Sequence, residues 1–380
     1  MTSPAYRCWV EVSRQAIGEN FRALRLLVGP SVEVMPVVKA DAYRHGAIEV
    51  SRTLVEEGAR WLAVSSVEEG VALRLAGIET RILVMADFLA VERQALVEHD
   101  LTPVIHTLED IGALDELGAA QHRRLDYHLK LDTVMGRLGT CEAAGDIARA
   151  VRRAAHTRLE GLMTHFASSA DYASAQTDEQ CAEFDKLERE LLAHGVSAPV
   201  LHAASTNAIA YGRRQAWKTM VRPGHAIYGY VSPAKATGRN ETPQKLLEVT
   251  PALSWKAQIL AVKDVPAGAR IGYGAMFVAP QPMRLGILAV GYADGLPHRL
   301  SGRGKVIAGG KPAAILGAVS MDLTTVDLTQ AAHLKPGDAV TLLGREGAVA
   351  QDAQQMARAA GTISYSLLCG ISARVKRIYI

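Results

Sequence analysis

The sequence predicts an α/β fold: a (β/α)8 TIM-like barrel followed by a smaller, mainly β C-terminal domain. Three observations carry this expectation. Aliphatic and β-branched runs recur eight times between Val34 and Val221, most of them separated by amphipathic helical segments. From about Pro243 the texture changes to short strand candidates divided by Pro-Ala-Gly, Gly-Gly-Lys and Lys-Pro-Gly-Asp turns, the pattern of a small β domain. A chain of 380 residues has room for both. A doubly wound open sheet is the competing architecture for the first part.

Taken in order, Arg7-Cys-Trp-Val-Glu-Val12 alternates and reads as an isolated first strand. Ser13 is placed to cap a helix over Arg14–Leu27. Barrel strands are expected near Val34–Val38, Trp61–Ser65, Arg81–Met85, Thr102–His106, Leu125–Leu131, Leu159–His165, Pro199–Ala203 and Thr219–Val221. The clearest helices are Val50–Gly58, Val67–Ala76, Leu89–His99, Leu108–Leu117, Cys141–Ala155 and Gln180–His194. Asn240-Glu-Thr-Pro243 reads as a linker. Beyond it, strands are expected over Leu253–Val262, Met283–Val290, Lys305–Ile307, Lys311–Leu316, Thr324–Asp327 and Ala339–Leu343. The barrel is complete without the first strand, which is therefore expected to pair into the second domain. The expected division is a barrel of residues 13–242 and a β-rich domain of residues 243–380 with residues 1–12.

Hydrophobic residues make up 49% and charged residues 21%, the balance of a soluble globular enzyme rather than a disordered chain. The net charge of +3 is spread over interspersed residues of both signs, so neither a nucleic acid nor a membrane partner is expected. Cys8, Cys141, Cys181 and Cys369 are widely spaced, which suits neither a zinc site nor a disulfide framework and favours a reducing compartment. No charged-then-apolar leader and no bilayer-length apolar run are seen, so a cytoplasmic protein without a metal is expected.

The chemistry gathers at strand ends, where α/β folds place it. Val34-Met-Pro-Val-Val-Lys39 is an apolar run that stops in a lysine. Taken alone, such a lysine more often leans its stem on apolar neighbours with its ammonium in water. Walled by apolar groups, it instead loses its proton near neutral pH and forms a Schiff base with an aldehyde. Lys130, His165 and His202 fall at other strand ends and are expected to ring one mouth of the barrel with it. Ser205, Thr206, Arg222 and Gly224 follow the last two strands, where barrels often bind phosphate. Ser205 and Thr206 are equally well read as helix caps. A Schiff-base lysine opposite a phosphate site points to pyridoxal 5′-phosphate.

Several separated segments then resemble one family. They are Val-Val-Lys39-Ala-Asp-Ala-Tyr43-Arg-His-Gly, Lys130-Leu-Asp132-Thr-Val-Met-Gly-Arg137-Leu-Gly, Thr-His165-Phe-Ala-Ser-Ser-Ala-Asp and Val-Arg222-Pro-Gly224. Gly272-Tyr273-Gly274, Gly291-Tyr292-Ala-Asp294-Gly and Ser320-Met321-Asp322 continue the series. Over nearly its whole length the chain resembles the alanine racemases, isomerases that use pyridoxal phosphate. The resemblance implies that Lys39 holds the cofactor and is one of two bases. Tyr273 is implied as the other, offered to the opposite face by the second subunit of a head-to-tail homodimer. Arg222 is implied to face the pyridine nitrogen, with His165 beside the ring. Tyr43, Ser205, Thr206, Gly224 and Tyr365 are implied to bind the cofactor at its phosphate. Arg137, Tyr292, Met321 and Asp322 are implied to hold the amino-acid substrate, and Lys130 to carry a carbamate. The implied reaction interconverts L- and D-alanine, supplying D-alanine for peptidoglycan. Ser320 and His-Ala-Ala-Ser205 depart from the usual cysteine and asparagine, so a serine or broad-specificity racemase is the alternative within the family. A non-catalytic pyridoxal-phosphate carrier leaves the β domain and Tyr273 without a role. A decarboxylase of the same architecture requires a carboxylate where this chain has Arg222.

Overall fold

The structure, a computed structural model, describes residues 6–86, 88–235 and 243–380. The chain folds into two compact units. One contains residues 16–42 and 47–250, and the other residues 1–15, 43–46 and 251–380. Asn240, Glu241 and Thr242 of the expected linker lie outside the described residues.

Strand β1 (Cys8–Val12) opens the chain. The barrel strands are β2 (Glu33–Val34), β3 (Trp61–Val64), β4 (Arg81–Val84), β5 (Thr102–Ile105), β6 (Leu125–Lys130), β7 (Thr157–Met163), β8 (Val200–His202) and β9 (Met220–Val221). β3 to β8 form one parallel sheet in sequence order, and β2 pairs in parallel with β9. Two bridges close the ring, Val37 to Ala63 and Ser205 to Arg222. Val38 N donates to Ala63 O at 2.8 Å, and Arg222 N donates to Ala204 O at 2.9 Å. The first part is therefore a closed (β/α)8 barrel and not an open sheet. Its strands read as apolar runs because both faces are covered, one by side chains of the barrel interior and one by helices.

The expected strand Val34–Val38 is shortened to Glu33–Val34 with a bridge at Val37. Pro36 has no N–H to give and interrupts the ladder. Helix ends also moved. Leu89–His99 contracts to Arg93–Glu98, Cys141–Ala155 to Ala144–Arg153, and the helix expected from Gln180 begins at Gln176.

The remaining strands are β10 (Leu253–Val265), β11 (Arg270–Ile271), β12 (Phe277–Val278), β13 (Met283–Leu288), β14 (Lys305–Ala308), β15 (Lys311–Ala314), β16 (Thr324–Asp327), β17 (Ala339–Glu346), β18 (Val349–Gln351) and β19 (Lys376–Tyr379). β1 pairs antiparallel with β10 and parallel with β19, so the first strand belongs to this β-rich sheet. Along β10, Leu253, Trp255, Ala257 and Ile259 are buried while Ser254, Lys256 and Gln258 are not, the two-residue period of a one-faced sheet. An irregularity between Ile259 and Ala261 hands the strand to β13. Two short helices, Ala353–Ala359 and Ser364–Cys369, complete the unit. The first has a reciprocal Asp352–Gln355 capping box. Among the described residues no helix is long and apolar enough to cross a membrane.

Candidate active site

Lys39 ends the β2 segment and is half-buried. The residues after it wind the wrong way. Ala40, Asp41, Ala42, Tyr43 and Arg44 have φ of 53°, 53°, 52°, 53° and 66°. A left-handed turn of L-residues costs roughly 1–2 kcal/mol per residue, so it must be held from outside. Glu69 does much of this. Its carboxylate accepts from Ala40 N at 2.6 Å and from Ser65 N at 2.8 Å. Asp41 Oδ1 accepts from Ala47 N, and Val38 O from Ala42 N, both at 2.8 Å.

Arg222, just past β9, is 2% exposed. Its Nη1 donates to His202 Nδ1 at 2.9 Å and to His202 O at 2.6 Å. Its Nη2 donates to Thr164 O at 2.6 Å and Ala203 O at 3.1 Å, and lies 3.4 Å from His165 Nδ1. No carboxylate bonds to it among the described residues. Burial lowers its pKa to about 9, so it stays a cation at neutral pH.

Beneath Arg222 runs a buried polar column. His202 Nε2 is 2.7 Å from His128 Nδ1, and His128 Nε2 is 3.4 Å from Glu160 Oε2. Arginine only donates, so His202 Nδ1 accepts and its proton sits on Nε2. That proton meets His128 Nδ1, which leaves the His128 proton on Nε2, facing Glu160. Every bond in the column thus points from Arg222 to the carboxylate. Burial holds both imidazoles well on the neutral side. Glu160 is clasped by Arg81, Nη1 to Oε1 at 2.6 Å and Nη2 to Oε2 at 2.7 Å. The column exists because residue 161 is glycine. A Cβ there would lie 2.5 Å from His128 Nδ1.

His165 follows β7. Burial, and then the charges of Arg222, Arg137, Lys130 and Lys39, push its pKa down to about 3. It is a neutral imidazole in a strongly positive field, the setting for an anionic ligand. Lys130 ends β6 and is 4% exposed. Burial, Arg137 and Arg222 lower it to about 8 against the opposing pull of Asp132. Asp132 itself folds the following turn, accepting from Met135 N at 2.7 Å and Gly136 N at 3.0 Å. Arg137 stands exposed on that turn.

Ser205 precedes the short helix Thr206–Ala210 without a side-chain cap bond. Thr206 Oγ1 accepts from both Gly224 N and Ala226 N at 3.2 Å, so it ties the loops after β8 and β9 together instead of capping. His202 is a correction. It is wholly buried between Arg222 and His128, inside the barrel rather than on its rim.

In the β-rich unit, Tyr273 sits between Gly272 and Gly274, both at positive φ, with its side chain 75% exposed. Tyr292, Met321 and Asp322 gather there in one surface cluster. Tyr292 N donates to Ser320 O and Ala293 N to Met321 O, both at 3.0 Å. This close pairing requires Gly291, whose Cβ would lie 2.3 Å from Met321 O. Arg374 joins Asp294 and Asp322, each at 2.7 Å. Tyr43 packs against Tyr365 with ring centres 6.1 Å apart, and burial holds its phenol protonated.

The column residues His128, Glu160 and Arg81 escaped sequence reasoning. The available signal was alternation: His128 is two residues before Lys130 on one strand and shares its face.

Similarity to known proteins extends over nearly the whole chain. The alanine racemase N-terminal domain model matches residues 12–233, and the C-terminal domain model residues 252–379. An alanine racemase of Halothermothrix orenii is 37% identical over 373 residues, covering 98% of this chain and 96% of that protein. The crystal structure of alanine racemase from D-cycloserine-producing Streptomyces lavendulae superposes with a TM-score of 0.90 at 32% identity, over 98% of this chain and 97% of that one. The alanine racemase of Bartonella henselae with covalently bound pyridoxal phosphate does so with a TM-score of 0.85 at 27% identity, over 99% and 100%. The chain belongs to the alanine racemase family.

Proposed function

We propose that the protein interconverts L- and D-alanine with pyridoxal 5′-phosphate, Lys39 and the partner subunit's Tyr273 acting as the two acid–base groups. The observation that carries this reading is Arg222: a buried, protonated guanidinium whose donors meet imidazoles and carbonyls and no carboxylate. When bound, the cofactor supplies an aldehyde that takes up an amine and a pyridine ring that draws electron density from the α-carbon. The residues fit that group. Arg222 keeps its own proton, so it would hold the cofactor's ring nitrogen without protonating it, which would limit the ring's electron demand and favour return of the proton to the α-carbon. A carboxylate at this position would favour deeper electron withdrawal and other outcomes.

Lys39 would hold the cofactor through Nζ, and its amine would move the α-proton on one face. The phenol of Tyr273 moves it on the other, since racemisation needs one group on each face. His165, a neutral imidazole, would stand beside the ring. Ser205 and Thr206 would offer hydroxyl groups to the phosphate, with Gly224 in the loop beside them, and the family resemblance extends that role to Tyr43 and Tyr365. Arg137 and the Met321 backbone take the substrate carboxylate, with Tyr292 and Asp322 nearby in the family pattern. Lys130 carries a carbamate, which replaces a cation beside Arg137 with an acceptor. Residues 13–242 are the cofactor-binding domain, residues 1–12 and 243–380 the β-rich domain, and the protein acts as a cytoplasmic head-to-tail homodimer feeding peptidoglycan synthesis.

The test is borohydride reduction of the yellow protein followed by peptide mapping, together with chiral analysis of products from a panel of L-amino acids that includes alanine and serine. A pyridoxyl label on Lys39 and D-alanine as the main product are expected. A label on another lysine overturns the assignment, and faster turnover of serine overturns the substrate.

A further inference from the structure

We propose that His106 is the positioning residue that receives the carbamate on Lys130, donating a ring N–H to its anionic oxygens. This rests on the reading of Lys130 as carbamylated and adds to it a residue that nothing in the family pattern quoted above contains.

The geometry comes from strand register. β5 and β6 run in parallel with Val104 opposite His128 and Ile105 opposite Leu129. The next rung sets His106 beside Lys130. Neighbours on a rung of a parallel pair point to the same face, and residues two apart on a strand share a face. His128 looks into the barrel, where it meets His202, so Lys130 and His106 look inward as well. Both are buried, His106 at 7% and Lys130 at 4% exposure.

His106 also differs from three other histidines of this chain. His128, His202 and His165 each have ring bonds. Among the described residues, neither ring nitrogen of His106 has a hydrogen-bond partner. A buried polar atom without a partner costs roughly 1–3 kcal/mol, so a histidine with two calls for an explanation. The groups facing it are few. The Met85 and Ala86 carbonyls and the Asp110 carboxylate favour a proton on the ring, without meeting it in bonding geometry. Burial and then the Lys130 charge oppose one, lowering the pKa to about 4.

Carbamylation supplies what is missing. The unprotonated Lys130 amine attacks carbon dioxide; a nitrogen–carbon bond forms, one C=O electron pair moves to oxygen, and a proton leaves to water. A positive side chain becomes a negative one. Lys130, lowered to about 8, has a useful share of free amine at neutral pH. The new anion lies beside the unpartnered ring and reverses the sign of its main electrostatic opponent. His106 then gains an acceptor that its ring nitrogens otherwise lack.

The experiment is carbon-13 NMR of the holoenzyme titrated with labelled bicarbonate, for wild type, His106→Leu, His106→Gln and Lys130→Ala. A carbamate resonance is expected in wild type and not in Lys130→Ala. The bicarbonate needed for half-occupancy should rise roughly tenfold to a hundredfold in His106→Leu, the worth of a hydrogen bond to a charged group. It should rise much less in His106→Gln, which keeps an N–H donor. In wild type, the His106 ring nitrogen signals should shift when carbon dioxide is removed, a readout that needs no variant. A carbamate equally tight in all His106 variants, or ring signals blind to carbon dioxide, overturns the role of His106 and leaves that of Lys130 standing. No carbamate in wild type overturns both.

Discussion

Replacing Glu160 by glutamine removes one charge from the foot of the column and keeps an oxygen for His128. Burial by itself would raise this carboxyl, but hydrogen bonds from His128 and Arg81 outweigh it and hold the group at about 2 against an ordinary 4.5. His128 is neutral, so the stabilising charges are those of Arg81, whose guanidinium also lies 3.9 Å from the centre of the Trp61 ring, and of Arg158, whose Nη2 is 3.8 Å from Glu160 Oε1. At 1.36 kcal/mol per tenfold change in proton affinity, the carboxylate contributes about 3 kcal/mol at neutral pH. Arg81 is 43% exposed, and solvent screening trims this to about 2–3 kcal/mol. The group is held below its ordinary value. Its contribution is therefore complete above about pH 4.5 and fades as the pH falls toward 2. Urea unfolding of wild type and Glu160→Gln, followed by tryptophan fluorescence, should show a gap of about 2–3 kcal/mol at pH 7 that narrows by about half at pH 3.5. A gap that is absent at pH 7, or that stays constant with pH, refutes the assignment of charge to this column.

Two further outcomes are expected. Tyr273→Phe removes one oxygen from an exposed side chain, so stability should change by less than about 0.5 kcal/mol while racemisation falls on the order of 10²–10⁴-fold; in heavy water, α-hydrogen exchange should persist on D-alanine and fail on L-alanine, and equal exchange of both would remove Tyr273 from the mechanism. Gly161→Ala drives a methyl to 2.5 Å from the buried His128 ring, so a loss of about 1–3 kcal/mol in a thermal melt should accompany loss of the His128–His202 signal in nitrogen-15 NMR; an unchanged melt would mean that the ring has room to move.

Much of the fold was legible because its causes are local. Doubly covered strands must be apolar throughout, and eight such runs spaced by helices leave few topologies. β1 was legible as an outsider because it alternates while the barrel strands do not. What escaped has identifiable reasons. Asp352-x-x-Gln355 was a helix start in plain view, overlooked among strand signals. In the site, Lys39, Lys130, His165 and Arg222 are legible because they stand at strand ends, where α/β folds place chemistry. His128, Glu160 and Arg81 lie toward the other end of the barrel interior, where polar residues are unexpected. His106 was assigned to a strand and not weighed as chemistry, since a missing bond partner is visible only in three dimensions.

The reverse-handed turn after Lys39 inverts a familiar ranking. Alanine is the best helix former among the natural residues and glycine among the worst, yet at φ near 53° the methyl group of Ala40 is the liability. The mirror-image building block, a D-residue, would sit there at ease. Substitution scales compiled from ordinary helices therefore carry the wrong sign from Ala40 to Arg44, and sequence-based redesign would replace these residues with the very ones that resist the winding. The segment carries a stereochemical cost that Glu69 from outside, and Asp41 through its bond to Ala47, make tolerable. Its composition is best understood as theirs to dictate.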